Sequence, residues 1–158
     1  MTLGKLKLTK MTIEQFEEFK IRSIASYTID IHESYGLSKE KALIRSQTET
    51  NKLLKEGIET EGFIFLSIMR ETQPETMGHL WVKLYPKTKE AFIYHIEIYE
   101  AYRGQGFGKQ ALDQLGTYLK GKGINNLRLN VFKSNTIAKS LYEKTGFNSI
   151  STQMMKDL

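Results

Sequence analysis

The chain has 158 residues, enough for one domain with a proper hydrophobic core. Its 40% apolar and 26% charged content excludes a disordered or fibrous chain, and the absence of cysteine excludes disulfides and any cysteinyl intermediate. The net charge of +5 is uneven: residues 103–144 carry eight Lys or Arg against only Asp113 and Glu143, a local excess that suits an anionic ligand, nucleic acid or a plain solvated face.

The opening stretch MTLGKLKLTK alternates apolar and polar residues, predicts a first strand with Leu6 and Leu8 on one side, and lacks the apolar centre of a signal peptide. No apolar run approaches the roughly 20 residues that span a bilayer. A cytoplasmic protein is expected. Thr12 with Gln15 three residues on makes a capping box, after which Ile13, Phe16, Phe19, Ile24 and Tyr27 recur at helical spacing. Gly36 breaks that helix, and Ser38 caps a second one expected to reach Glu56 and stop near Gly57.

The period then changes. GFIFLSIMR, GHLWVKLYP and AFIYHIEIYE are rich in aromatic and β-branched residues and are separated by turn-forming stretches, which predicts three strands in an antiparallel meander. A helix follows from about Phe107 to Lys120. NNLRLNVF predicts a strand, SNTIAKSLYEKTG a short capped helix, and FNSISTQMM a closing strand. The order β-α-α-β-β-β-α-β-α-β describes one mixed α/β domain over residues 1–158.

Between the third meander strand and its helix lies YEAYRGQGFGKQALDQL. A strand, a glycine-rich turn and a helix start form an anion site, because the first helical amides have no partner inside the helix and the dipole favours negative charge. Two familiar phosphate loops fit it poorly. Aligning a Walker loop on Gly108 and Lys109 puts Arg103 where the first glycine belongs and Gln110 where Ser or Thr belongs. A dinucleotide fingerprint read from Gly106 and Gly108 reaches Ala111, but the next strand ends in Asn130, Val131 and Phe132, without the acid that would hold a ribose.

YRGQGFG resembles the pyrophosphate loop of the GNAT acyltransferase superfamily, [Q/R]-x-x-G-x-[G/A], through Arg103, Gly106 and Gly108. NVFKSNTIAKSLYEKTGF is similar to a later motif of that superfamily, matching at Asn135, Ala138, Leu141, Tyr142, Gly146 and Phe147. The resemblance implies a GNAT-type fold that takes acetyl-CoA as co-substrate. It implies that the backbone of Arg103, Gly104, Gln105, Gly106, Phe107, Gly108 and Lys109 grips the pyrophosphate. The strand carrying Glu97 and Ile98 would splay from LRLNVF, the cofactor arm would lie in the gap, and the Ile98 N–H would face the thioester carbonyl. Asn135, Ala138 and the face of the last helix would close the other side, and Tyr142 would stand at the general-acid position.

Elementary chemistry agrees with that division. An attacking amine must first lose its ammonium proton. A thiol of pKa roughly 8.5 is already a tolerable leaving group, so loss of Tyr142 should slow the reaction without abolishing it. Glu97 shares a strand face with His95 and Tyr99, opposite Ile96 and Ile98, which suits a general base, an anchor for the substrate amine or a solvated carboxylate. His95 is an alternative base. His79, His95 and Glu97 lack any metal-motif spacing, and no metal is expected. Trp81, Tyr27 and Tyr35 are candidates for the acceptor pocket and equally for core, while Asp30, His32 and Glu33 on the first helix are candidate contacts for a cationic acceptor.

The expected activity is transfer of an acetyl group from acetyl-CoA to a primary amine, on a small molecule or a protein, by direct attack in a ternary complex. The alternative is a non-catalytic CoA-binding module. Nucleic-acid binding is not expected, since no basic and aromatic ladder accompanies the charge. A homodimer is compatible with the family.

Overall fold

The computed structural model describes residues 5–158. The chain order is β1 (Leu6–Lys10), α1 (Ile13–Tyr35), α2 (Lys39–Leu53), a single 3₁₀ turn at Gly57–Glu59, β2 (Phe63–Arg70), β3 (Thr76–Tyr85), β4 (Glu90–Ile98), a second short turn at Glu100–Tyr102, α3 (Phe107–Gly121), β5 (Asn126–Leu129) and α4 (Thr136–Lys144). The strands form one sheet in sequence order. β1 to β4 are antiparallel neighbours, and β5 joins β4 in parallel after the α3 crossover.

Local chemistry explains most boundaries. The Thr12 hydroxyl accepts from the Gln15 amide while Gln15 Oε1 accepts from the Thr12 amide, closing the expected capping box. Gly36 ends α1 in the left-handed region at φ 70°, which a glycine adopts without a Cβ clash. α2 ends earlier than the sequence suggests. Leu54 leaves helical dihedrals and is buried beside Phe16 and Phe65, so the chain is already turning before Gly57.

Strand alternation sorts the core into two layers. Leu66, Ile68, Leu80, Val82, Ala91 and Ile93 face α3, where Phe107, Ala111, Leu112, Leu115 and Leu119 cover them. Phe65 and Trp81 face the other way, toward Phe16 and Phe19 of α1. A bulge interrupts the β3–β4 ladder: Val82 pairs with Ile93 but Trp81 pairs with His95. The extra residue re-phases the strand, so Tyr94 stacks on Trp81 at 4.9 Å and His95 also lies on the α1 side.

The expected strand over residues 147–155 does not form. Phe147 packs partly against the core, but Ile150, Met154 and Met155 are exposed, and the intervening Ser149, Ser151, Thr152 and Gln153 give no apolar face to bury. A strand needs both a ladder partner and a buried side, and this segment has neither among the described residues.

Candidate active site

The site is built where β4 and β5 part. Their pairing runs from Glu90–Asn126 to Ile93–Leu129 and stops, although β4 continues to Ile98. The NNLRLNVF strand is therefore shorter than its alternation implies, because its second half has lost its neighbour. At the far end of β4 the Tyr99 amide donates to the Met77 carbonyl of β3. Amides alternate sides along a strand, so the preceding Ile98 N–H points away from β3, into the gap beside β5.

The glycine loop closes the end of that gap. Gly104 and Gly106 have φ of 74° and 81°, and a Cβ at either would meet only open space. Their requirement is conformational, not steric: the turn needs left-handed dihedrals twice within three residues. Gly106 caps α3 without any side chain, leaving the first amides of the helix with no side-chain partner. The Arg103 Nε donates to the Ile98 carbonyl at 2.7 Å, tying the loop to the strand end. Gln105 is half-buried, Lys109 is exposed, and the Phe107 side chain is core, so only its backbone faces the loop. An uncapped helix start in a cradle of open glycines fits a pyrophosphate.

The two sequence motifs meet here. A Cβ on Gly108 would lie 3.0 Å from the Leu141 side chain of α4 and 3.9 Å from that of Ile98, so Gly108 is the close-packing point of loop, strand and last helix. Asn135 is the N-cap of α4, accepting from the Ala138 amide at 3.2 Å. Tyr142 packs in the α3-side core and against Phe147 at 5.7 Å. Burial, with the Asp30 carboxylate nearby, pushes its phenol up to about 12. Asp30 is itself pushed up to about 6 by burial and by Glu33.

The opposite face of β4 is dense and polar. Glu97 lies across from His79 in the ladder, as His95 lies across from Trp81. Both Glu97 oxygens accept from Arg22 of α1, from Nε at 2.6 Å and Nη2 at 3.2 Å. The carboxylate is thus neither a solvated surface group nor free. Arg22 was not singled out in the sequence, and nothing in α1 marks it, since the pairing depends on how α1 lies across the sheet. The guanidinium also sits 4.3 Å over the Tyr99 ring.

His79 and His95 stack at 5.0 Å, and Nε2 of each is buried without a hydrogen-bond partner. Burial holds both neutral, pushing His79 down to about 2 and His95 to about 4. Ligand atoms of His79, His95 and Glu97 come within 4.8 Å of one another, but the Arg22 guanidinium engages both Glu97 oxygens, which disfavours a second cation there.

Of the acceptor-pocket candidates, Trp81 is core, Tyr27 donates to Glu49, and His32 Nδ1 lies against the Leu37 carbonyl. Tyr35 packs against Phe132 at 6.2 Å and donates to Gln153, which places it at the β5 end of the cleft.

The acetyltransferase (GNAT) profile matches residues 28–147. The chain belongs to the acetyltransferase (GNAT) family. The uncharacterized N-acetyltransferase YycN of Bacillus subtilis is 34% identical over 155 residues, covering 97% of this chain and 99% of that protein. A crystal structure of YycN superposes with a TM-score of 0.91 at 33% identity, covering 98% and 99% of the two chains. The PaiA N-acetyltransferase of Thermoplasma acidophilum, solved in complex with coenzyme A, shares the fold at a TM-score of 0.67 and 24% identity, covering 94% and 93%. As a GNAT protein the chain is an acetyl-CoA-dependent N-acetyltransferase. No helix among the described residues is long and apolar enough to cross a membrane.

Proposed function

We propose that the chain acetylates a primary amine by direct attack within a ternary complex, with Glu97 as the general base and Tyr142 as the general acid. The observation that carries this reading is the parting of β4 from β5 after Ile93, which turns the Ile98 amide into the gap directly before the glycine loop.

The backbone from Arg103 to Lys109 holds the pyrophosphate, with Asn135 and Ala138 closing the α4 side. Acetyl-CoA would supply the activated thioester when bound. Glu97 takes a proton from the acceptor ammonium, breaking an N–H bond and freeing the lone pair for attack. The Ile98 N–H donates toward the oxyanion that develops as the carbonyl is attacked. Tyr142, held protonated by its burial, would give its proton to the sulfur as the C–S bond breaks and regain one from the second N–H of the attacking nitrogen as the amide forms. The absence of cysteine leaves no thiol for an acyl-enzyme route.

The acceptor is an amino group on a small molecule or a protein, in a cytoplasmic setting consistent with a cysteine-free chain. Calorimetric titration with acetyl-CoA, with dephospho-CoA, NAD and ATP as comparisons, tests the cleft. An amine panel scored by CoA release, with Tyr142→Phe and Glu97→Gln alongside, tests the roles. Micromolar, acetyl-CoA-selective binding and slowed turnover in both variants are expected. Full activity in Glu97→Gln would remove it as the base.

A further inference from the structure

Glu97 is surrounded by a specific set of groups. Arg22 faces it from α1, with Glu18 contributing negative charge nearby; His79 faces it from β3; His95 and Tyr99 flank it on β4. Only one of these is a cation in direct contact. Arg22 makes two charge-assisted hydrogen bonds to the carboxylate and covers the Tyr99 ring face. A carboxylate beside an aromatic face is also what a protonated amine binds: charge and acceptor oxygens on one side, a negative quadrupole on the other.

The two partners differ in exposure. The Arg22 side chain is 37% exposed and reaches in on a long flexible stem, whereas Glu97 is 16% exposed and fixed in the sheet wall. The guanidinium has a solvent-side path out of the cradle, while the carboxylate lies deeper against the sheet. The histidines supply no competing charge, since burial keeps both rings neutral.

We infer that Arg22 is a placeholder for the acceptor: its guanidinium fills the Glu97–Tyr99 cradle until a cationic primary amine displaces it, which makes a protonated alkylamine the acceptor class. This rests on Glu97 being the group that meets the acceptor. The exchange replaces one cation by another without proton transfer, so the cradle never faces the cleft as a bare anion. The ammonium then yields one proton to Glu97: an N–H bond breaks, an O–H bond forms, and the neutral amine attacks. Release of that proton to solvent restores the carboxylate and lets Arg22 return. Arg22 leaves the Glu97 oxygens before the proton moves and acts as a specificity-determining residue.

Two measurements test this, the first on the CoA-loaded protein, which cannot turn over, and the second by kinetics with acetyl-CoA. The first follows the Nε–H resonance of Arg22, assigned by its loss in Arg22→Met, during titration with cadaverine. The resonance should shift toward the free-arginine position with saturation; a resonance that stays in place at millimolar cadaverine overturns the inference. The second compares amine KM in wild type, Arg22→Met and Arg22→Lys, for cadaverine and for O-methylhydroxylamine, which is uncharged at neutral pH.

Arg22→Met should lower the cadaverine KM about fivefold, the scale of a part-exposed ion pair, with kcat little changed. Arg22→Lys should stay near wild type, and the KM for O-methylhydroxylamine should not move. A raised KM or reduced kcat in Arg22→Met, rescued by Lys, would mean that Arg22 merely positions Glu97. An unchanged KM also overturns the inference. Glu97→Gln in the same assay separates the two layers: if it alters neither kcat nor KM, the assignment of Glu97 as base fails, whatever Arg22 does.

Discussion

The two faces of β4 are built on opposite plans. Toward α1, the strand buries a stacked histidine pair and a carboxylate already held by a guanidinium, with every group fixed by a neighbour from another element. Toward β5, it offers an open gap, a glycine loop with empty space around Gly104 and Gly106, and a last helix without a single fully buried side chain. On the proposed reading the first is the acceptor side, preorganised by side chains, and the second is the donor side, preorganised by backbone with room for a ligand to complete it. Perturbations of the two sides should therefore separate: packing changes on the first, loss of ligand affinity on the second.

The largest separation is expected at Gly78. A Cβ there would stand 2.0 Å from the Glu97 carbonyl oxygen and 3.0 Å from its carbon, both backbone atoms that cannot swing aside. Gly78→Ala must push β3 from β4 where Glu97 is presented. It should cost about 3 kcal/mol and lower the melting temperature by roughly 6–12 °C. In the folded fraction the amine KM should suffer more than the acetyl-CoA Kd. An unshifted melting curve would show that the strands part there without penalty.

Next in size is Tyr142→Phe. The ring packing survives, and only the proton is removed. A kcat loss of about 10²-fold is expected, at the low end for general acids because the thiol leaves tolerably well without help. Acetyl-CoA affinity should be unchanged by calorimetry. With its phenol pushed up to about 12, Tyr142 should add no alkaline fall to the pH–rate profile across the neutral range. An unaltered kcat would return Tyr142 to a packing role.

Gly106→Ala probes the donor side and should be milder for stability. Nothing lies within 4 Å of the added Cβ, so the cost is the left-handed φ of 81° alone, about 1 kcal/mol. The melting temperature should fall by only a few degrees, while acetyl-CoA binding weakens about tenfold as the loop amides re-aim. Equal affinity in the variant would detach the loop from the cofactor.

The same asymmetry governs how much of the site was legible in the sequence. The donor side is written in short-range terms: Arg103, Gly106 and Gly108 in one turn, Asn135 to Phe147 in one helix and its exit. Such spacing survives without tertiary knowledge, and the Thr12 capping box and the three-strand meander were legible for the same reason. The acceptor side is not local. Arg22 and Glu97 are 75 residues apart and meet only because α1 crosses the sheet at one angle. The bulge that turns both Tyr94 and His95 toward α1 leaves no mark in the alternation of AFIYHIEIYE. The closing strand failed for a related reason: alternation in FNSISTQMM is a local signal, whereas pairing is not, and among the described residues no strand pairs with this segment.

A last effect, carried mainly by the acceptor side, is the dependence of stability on pH. His79 and His95 are pushed down to about 2 and about 4, far below the ordinary histidine value of roughly 6.5. Below that ordinary value the unfolded chain takes up protons that the folded chain refuses, so acidification favours unfolding. Each histidine contributes a slope of at most about 1.4 kcal/mol per pH unit, for both from about pH 6.5 down to about 4 and for His79 alone below that. Asp30 opposes them. Its carboxyl, pushed up to about 6, is protonated more readily in the folded state, so over the window between about pH 4 and 6 acidification through this group favours folding. The net slope there is the histidine pair less one partly buried carboxylate. Thermal melts between pH 7 and 5 should show falling stability, and His95→Asn should remove well over half of that fall, because Asp30 offsets most of what His79 still contributes, while leaving the acetyl-CoA Kd unchanged. A slope that His95→Asn does not alter would place the acid sensitivity outside the stacked pair, and with it the claim that this face of β4 is held neutral by its packing.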